Sequence, residues 1–241
     1  MMIDLSGRVG LVTGAARGLG LHIASALADA GMSIAGLDTR KDDLSAALTD
    51  LRQRRGVATL ALEADVSSEP DVIGAVERTV ETFGRIHALV NNAGIRLVAP
   101  VWETGTETWD KIMAVNLRGE FLCTREVLRQ SMLEHGDGRL IFISSIAGRR
   151  GTRNSCAYSA AKWGILGLAH STAQDLKDTS IRVTTITPGR TETPMAHESE
   201  QWDPARGWLD PDAVARAVAY CLRQDPATVI PEFHLHHEAE L

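Results

Sequence analysis

The sequence predicts one doubly wound α/β domain, with about seven parallel strands in a sheet and helices on both of its faces. Two observations support this prediction. Short apolar runs alternate with helical patterns along the chain, as in repeated β–α–β units. Each run is continuously apolar, which is typical of strands whose two faces are both covered. A length of 241 residues suits a domain of this kind, so residues 1–241 are expected to form a single domain.

The elements follow in order from these patterns. Strands are expected where the apolar runs lie, over residues 8–13, 33–37, 57–63, 86–90, 139–143, 182–186 and 228–233. Helices are expected between them, over residues 21–30, 42–55, 69–83, 106–134, 157–176 and 211–222, with a break in the fourth near residues 116–119. Residues 192–210 lack periodicity, and a loop of that length in a compact domain is more often a lid than a tether.

The composition excludes several classes of protein. The chain has 25 Lys and Arg against 31 Asp and Glu, a net charge of -6, and it has no basic stripe for nucleic acid. No apolar run approaches the roughly 18 residues of a membrane span, and the N-terminus lacks the pattern of a signal peptide. The three cysteines are widely spaced and form no CxxC pair, which argues against disulfides and zinc. We therefore expect a cytoplasmic protein with a small-molecule substrate and no metal.

A glycine-rich turn follows the first predicted strand and precedes the first predicted helix. Its spacing is G-x-x-x-G-x-G over residues 14–20. Such a turn lets the backbone approach a phosphate and directs a helix N-terminus at it, as in Rossmann-type dinucleotide sites. The residues expected to bind the pyrophosphate are Gly14, Arg17, Gly18, Leu19 and Gly20.

Asp38 stands at the tip of the second predicted strand, 18 residues after Gly20. A carboxylate there can accept hydrogen bonds from the ribose hydroxyls, and it repels a 2′-phosphate, so it favours NAD. Arg40, two residues later, and Arg17 carry charges that could attract that phosphate. NADP therefore stays open as the alternative cofactor.

Ser145, Tyr158 and Lys162 place a hydroxyl, a phenol and an ammonium group within eighteen residues. Tyr158 and Lys162 are four residues apart, so they share one face of the predicted helix. A lysine charge near a phenol favours the phenolate, and Tyr158 could then exchange a proton with a substrate. An ordinary pair on the helix surface is the other interpretation, because such spacings are common.

These motifs occur together in one family. In order and in spacing, the chain resembles the short-chain dehydrogenases/reductases over roughly residues 5 to 195. The matching segments are residues 13–20, Asp65, residues 91–94, Asn116, Ser145, residues 158–162, Pro188 and Gly189. The resemblance implies an oxidoreductase that uses a nicotinamide cofactor.

The resemblance also implies roles for individual residues. Tyr158 resembles the residue that acts as acid and base in the family. Lys162 resembles the lysine that favours the phenolate form of this tyrosine and binds the nicotinamide ribose. Ser145 resembles the serine that polarises the substrate oxygen. Ser144 is a rival, but Ser145 lies 13 residues before Tyr158, the spacing typical of the family. Asn116 resembles the asparagine that anchors a water molecule in a proton relay, and it also fits a helix kink.

Further positions resemble the family's cofactor contacts. Asp65 and the backbone of Val66 match the adenine contact. The segment that lines the cleft is matched by Asn92, Ala93 and Gly94. The stretch that meets the nicotinamide carboxamide is matched by Pro188, Gly189, Thr191 and Thr193.

The function expected from this resemblance is hydride transfer between NAD and a secondary alcohol or ketone, or a hydroxy or oxo acid. The alternatives are an NADP-preferring carbonyl reductase and a non-catalytic protein that senses dinucleotide. The resemblance also implies a homo-oligomer, tetramer or dimer. Phe121 and Trp163 lie in the helices that the family uses for assembly, and they fit either an interface or the core.

The substrate is only loosely indicated. Trp202 and Trp208 in the predicted lid could cover an apolar or cyclic substrate. An anionic substrate is the other possibility, because arginines follow the motif segments that frame the cleft. They are Arg96, Arg149, Arg150, Arg153 and Arg190. The chain departs from many family members at its C-terminal end, where the last predicted strand contains Pro231 and Glu232.

Overall fold

The computed structural model describes residues 2–198 and 202–240. Within these residues, seven parallel strands form one sheet in the order β3-β2-β1-β4-β5-β6-β7. The strands are β1 (Val9–Thr13), β2 (Ser33–Asp38), β3 (Thr59–Glu63), β4 (Ala88–Asn91), β5 (Asp137–Ile143), β6 (Ser180–Pro188) and β7 (Glu232–Leu235). The doubly wound parallel sheet predicted from the sequence is therefore confirmed.

Helices connect the strands. The first three are α1 (Gly18–Asp29), α2 (Lys41–Arg55) and α3 (Glu69–Phe83). A longer helical region follows, formed by α4 (Thr106–Met113), a π segment (Ala114–Arg118), α5 (Gly119–Val127), a second π segment (Leu128–Met132) and α6 (Leu133–His135). The remaining helices are α7 (Cys156–Asp175), the short α8 (Pro194–His197) and α9 (Pro211–Leu222). None of the described helices is long and apolar enough to cross a membrane.

Apolar side chains cover both faces of the sheet, because neighbouring residues of a strand point to opposite sides. In β1, Leu11 belongs to the cluster that includes residues of α3, α5 and α7, whereas Val12 belongs to the cluster that includes residues of α1, α2 and α9. All five residues of β1 are buried. This two-sided burial explains why the strands appear as continuous apolar runs in the sequence.

Two predicted elements differ most from the structure, while the bounds of the others move by at most three residues. The break expected near residues 116–119 is instead a π segment, in which the helix continues and Gly119 N–H bonds the Ala114 carbonyl. The last strand begins at Glu232 rather than at residue 228. The side chain of Asp225 bonds the Thr228 hydroxyl at 2.8 Å and holds that residue in a turn, so the chain becomes extended only later.

The predicted lid over residues 192–210 is described except for residues 199–201, which lie outside the described residues. Its two ends meet in a parallel bridge between Thr191 and Leu209. The rings of Trp202 and Trp208 pack against each other with centroids 4.4 Å apart. The two tryptophans therefore make one aromatic surface within this segment.

Candidate active site and dinucleotide cleft

The predicted site residues follow the carboxyl ends of the strands. The neighbours of β1 in the sheet are β2 on one side and β4 on the other, so the winding reverses there. In doubly wound sheets, ligands bind in the crevice at such a switch point. Gly14 follows β1, Asp38 ends β2, Ser144 follows β5 and Pro188 ends β6.

The glycine turn lies too close to its neighbours to hold larger residues. Gly14 has a positive φ of 68°, and a Cβ there would lie 3.0 Å from Ala93 Cα. A Cβ on Gly20 would overlap the Gly14 carbonyl oxygen. Arg17 is the N-cap residue of α1, and no side chain caps the first N–H groups of that helix. Leu19 packs partly buried against the core, so the turn presents backbone to the cleft and fits a pyrophosphate.

Asn92 and Thr13 join the ends of β1 and β4. The Asn92 side-chain amide donates to the Thr13 carbonyl at 2.9 Å. The Thr13 hydroxyl accepts hydrogen bonds from the backbone N–H groups of Asn92 and Ala93, at 2.9 and 3.0 Å. Gly94 follows beside Asn116, whose Oδ1 lies 3.5 Å from the position of a Cβ on that glycine. This stretch therefore fixes the walls of the crevice.

Asp38 is held in place by backbone groups. Its Oδ2 accepts a hydrogen bond from Ala16 N–H and its Oδ1 one from Arg40 N–H, each at 3.0 Å. The Arg40 guanidinium points instead to Asp43, with Nη1 3.0 Å from Oδ2. The carboxylate therefore stands beside the glycine turn, while the nearest basic side chain in sequence is engaged elsewhere.

Asp65 and Val66 follow β3. Asp65 Oδ1 accepts hydrogen bonds from the backbone and the hydroxyl of Ser67, both at 2.8 Å. Val66 is buried against Gly119, where a Cβ would lie 2.8 Å from Val66 Cγ2. A cavity of about 440 Å³ opens here, and Asp65 contributes to its lining. The position and the cavity suit the adenine end of a dinucleotide.

Ser144 and Ser145 have different partners. The Ser144 hydroxyl is buried and donates to the Lys162 carbonyl at 3.0 Å. Ser145 Oγ accepts from Ala147 N–H at 3.2 Å, which leaves its own hydroxyl hydrogen available to a ligand. Ser144 therefore anchors α7, and Ser145 is the better placed of the two to meet a substrate.

Tyr158 and Lys162 lie on the first two turns of α7. Lys162 Nζ is 5.9 Å from the centroid of the Tyr158 ring and donates to the Ile143 carbonyl at 2.7 Å. Only 3% of Lys162 is exposed, so the pair is not an ordinary surface pair. The ammonium group therefore faces the phenol from a site that is largely shielded from bulk solvent.

Asn116 lies in the first π segment, and both polar atoms of its side chain bond the backbone of Ile95. Its Oδ1 accepts a hydrogen bond from Ile95 N–H, and its Nδ2 donates to the Ile95 carbonyl, both at 2.8 Å. The side chain thus clamps the loop after β4 against the helix. The position of Asn116 in a π segment agrees with the frequent occurrence of such segments at functional sites.

The segment after β6, where the sequence predicts the nicotinamide contacts, forms another wall of the cleft. The Thr191 hydroxyl donates to the Gly189 carbonyl at 3.2 Å. Thr193 is the N-cap residue of α8, and Pro194 lies 3.2 Å from the position of a Cβ on Gly18. The predicted lid thus begins directly against the glycine turn.

Two carboxyl groups near the site were not predicted from the sequence. Glu120 is buried, and its Oε1 lies 3.7 Å from Lys162 Nζ. Glu240 folds back so that its Oε1 accepts from Arg190 N–H at 2.9 Å, and a Cβ on Gly189 would overlap it. The four-residue spacing from Asn116 was a signal for Glu120, whereas no pattern in the sequence indicated Glu240.

Three of the arginines proposed to bind an anion contact other protein groups. Arg149 forms an ion pair with Glu232 of β7. Arg190 donates to the Arg206 carbonyl at 2.7 Å, and Arg96 donates to the Ser155 hydroxyl at 3.4 Å. Their guanidinium groups therefore help to hold the loops around the cleft in place.

Comparisons with known proteins agree on one family. A family model for short chain dehydrogenases matches residues 8–204. The D-threitol dehydrogenase of Mycolicibacterium smegmatis is 35% identical over 237 residues, which cover 94% of this chain and 89% of that protein.

Solved structures give the same result. An actinorhodin polyketide ketoreductase variant with NADPH is 32% identical, with a TM-score of 0.90 over 99% of both chains. A xylitol dehydrogenase with bound NAD+ is 31% identical, with a TM-score of 0.88 over 97% of this chain and 99% of that one.

Proposed function

The chain belongs to the short-chain dehydrogenase family, and on this premise we propose that it transfers a hydride between NAD and a secondary alcohol or hydroxy acid. The reverse reaction reduces the corresponding ketone or oxo acid. The observation that carries the proposal is the buried ammonium group of Lys162 next to Tyr158, with Ser145 as the second residue after β5. A sensor that only binds dinucleotide needs no such proton-transfer group.

Each of these residues has a distinct task. Tyr158 takes the hydroxyl proton of the alcohol as its carbon loses a hydride, or returns a proton to the carbonyl oxygen in the other direction. Ser145 donates its hydroxyl hydrogen to that oxygen, because its lone pairs already accept from Ala147 N–H. Lys162 stabilises the phenolate form of Tyr158. A bound nicotinamide cofactor accepts or supplies the hydride.

Asp38 supports NAD as the preferred cofactor. Its carboxylate is fixed at the end of β2 by two backbone N–H groups, where it can accept from the ribose hydroxyls. The two arginines that could bind a 2′-phosphate are engaged by carboxylates, Arg40 by Asp43 and Arg17 by Glu198. The names of solved relatives include both NAD+ and NADPH complexes, so the preference is a property to test in this chain.

The proposed activity can be tested by following reduced nicotinamide. Purified protein is mixed with NAD or NADP and a panel of secondary alcohols, polyols and hydroxy acids, and the reverse reaction is run with ketones and oxo acids. We expect turnover of at least one substrate, faster with NAD. Tight dinucleotide binding without turnover of any substrate would favour the sensor, and faster turnover with NADP would favour the carbonyl reductase.

We also propose a cytoplasmic homo-oligomer, tetramer or dimer. Phe121 of α5 and Trp163 of α7 are both more than 40% exposed, and large exposed apolar groups often mark an interface. Light scattering should give a multiple of the 26.0 kDa chain mass, and Trp163→Glu should lower it. A monomeric wild-type protein would contradict this proposal.

A further inference from the structure

Glu120 of α5 is a buried carboxyl group that the proposed reaction leaves unexplained. Only 2% of its surface is exposed. Among the described residues, neither of its carboxylate oxygens has a hydrogen-bond partner. Burying such a group without hydrogen bonds is unfavourable, so a functional reason for its presence is worth seeking.

The charged neighbour of Glu120 is Lys162. The distance between Glu120 Oε1 and Lys162 Nζ is 3.7 Å. The same ammonium group bonds the Ile143 carbonyl and lies 5.9 Å from the centroid of the Tyr158 ring. One buried cation therefore contacts both a carboxyl group and the phenol of the proposed acid/base.

We propose that Glu120 is a positioning residue, whose charge sets how strongly Lys162 stabilises the phenolate of Tyr158. The inference rests on the proposed function, because it assigns Tyr158 the proton transfer. While Glu120 is neutral, the full charge of Lys162 acts on the phenol. Once Glu120 is ionised, its negative charge opposes that of the lysine, and the phenolate becomes less favourable.

The charge of Glu120 changes within a useful pH range. Burial raises the pKa of Glu120 to about 8, and the charge of Lys162 acts in the opposite direction. Glu120 is therefore mostly neutral at about pH 7 and mostly ionised at about pH 9. Burial, and after it Glu120, raises the pKa of Cys123 to about 12, so this thiol stays neutral throughout.

Among the described residues, Lys162 is the charged group that acts on Glu120. From β5 the contact is the neutral carbonyl of Ile143, which Lys162 binds. From α3, Glu69 pairs with Arg125. The titration between about pH 7 and 9 is thus assigned to Glu120.

The phenolate can be observed directly, because the chain has two tyrosines. The second, Tyr220, is 43% exposed and meets the Phe233 ring edge-on at 6.3 Å, a contact that Tyr220→Phe retains. In that background, ultraviolet difference absorbance reports the ionisation of Tyr158 alone. The measurement needs neither substrate nor cofactor.

Glu120→Gln in this background is expected to lower the midpoint of the Tyr158 titration by about one pH unit, the order of magnitude for charges on the order of 10 Å apart at an effective dielectric constant of about 20. Lys162 connects the two groups, since its Nζ lies 3.7 Å from Glu120 Oε1 and 5.9 Å from the centroid of the Tyr158 ring. The pH profile of kcat/KM should also lose its step near the Glu120 pKa. Glu126→Gln is the matched control, because Glu126 is a buried carboxylate of the same helix that binds Arg125 and Gln130. It should leave the midpoint unchanged.

A midpoint of the Tyr158 titration that is unchanged in Glu120→Gln would overturn the inference. An equal shift in Glu126→Gln would overturn it too, because it would indicate that losing any buried carboxylate loosens the helix. If Glu120→Gln does not fold, Glu120→Met also removes the charge and decides the question in the same way. Failure of the proposed function is separate. A wild-type protein that turns over no substrate would refute that function, while the phenolate titration would still decide the role of Glu120.

Discussion

Replacing Asp38 with asparagine is expected to shift dinucleotide preference from NAD toward NADP. In the structure, the carboxylate accepts hydrogen bonds from Ala16 N–H and Arg40 N–H at 3.0 Å. These bonds hold it at the end of β2, where the adenosine ribose of a bound dinucleotide is expected. Asparagine keeps the shape of the side chain and removes its charge.

The size of the effect follows from the charge. A carboxylate and a phosphate charge about 4 Å apart repel each other by about 4 kcal/mol at an effective dielectric constant of about 20. Screening at the half-buried Asp38 lowers this value, so NADP should bind Asp38→Asn about a hundredfold more tightly. NAD loses a charge-assisted hydrogen bond of about 1.5 to 3 kcal/mol and should bind at least about tenfold more weakly. The ratio of the two dissociation constants should therefore change by about a thousandfold.

Titration calorimetry with the two oxidised cofactors measures this ratio without a substrate. Asparagine cannot accept both backbone hydrogen bonds, so it holds the glycine turn less firmly. The turn is expected to bind the pyrophosphate that both cofactors contain, so the resulting loss of affinity is the same for both and cancels in the ratio. Asp42→Asn is the control, because Asp42 is an exposed carboxylate in the first turn of α2. If the ratio of dissociation constants in Asp38→Asn stays within about threefold of the wild-type ratio, the change is no larger than the effect of an ordinary surface charge. That result would refute the role of Asp38.

Three further predictions concern separate contacts. Ser145→Ala should lower kcat by about a hundredfold or more, whereas Ser144→Ala should lower kcat far less. Each variant loses one hydrogen bond, to Ala147 N–H or to the Lys162 carbonyl, and should lose about 1 kcal/mol of stability. A larger loss of kcat in Ser144→Ala than in Ser145→Ala would exchange their roles. Burial, followed by nearby arginine charges, lowers the pKa of His87 from 6.5 to about 4. The contribution of the neutral histidine to folding stability is therefore fully present above about pH 6.5 and is lost as the pH decreases toward 4. His87→Gln should reduce that slope in thermal unfolding, and an identical slope would contradict the assignment. Gly189→Ala should cost about 1 kcal/mol of stability, because the methyl group displaces the carboxylate of Glu240 from Arg190 N–H. Glu240→Ala should cost about the same and the double variant no more, whereas additive losses in the double variant would show that this displacement is not the cause.

Local signals in the sequence were sufficient to predict most of the fold. The helices Glu69–Phe83 and Pro211–Leu222 begin and end where they were expected. A proline in the first turn of each and an apolar stripe determine these bounds. The π segments were not predicted, because one extra residue per turn leaves no mark in the periodicity of the sequence.

The candidate site was predictable where its residues directly follow strands or share a helix face. Glu120 was missed because a glutamate within a helix is usually exposed. Its burial depends on Lys162, which is distant in sequence and meets it only through the packing of α5 and α7. Glu240 was missed for a related reason, since its contact with Gly189 joins the C-terminal end of the described chain to the segment after β6.

The central claim is that Tyr158 transfers the proton in a nicotinamide-dependent oxidoreduction, and Tyr158→Phe tests it most directly. The change removes one hydroxyl group and retains the ring near Lys162. Initial rates with the best alcohol substrate should fall by about two to four orders of magnitude, while NAD binding by calorimetry stays within about threefold of the wild type. Turnover by Tyr158→Phe at the wild-type rate would contradict the account.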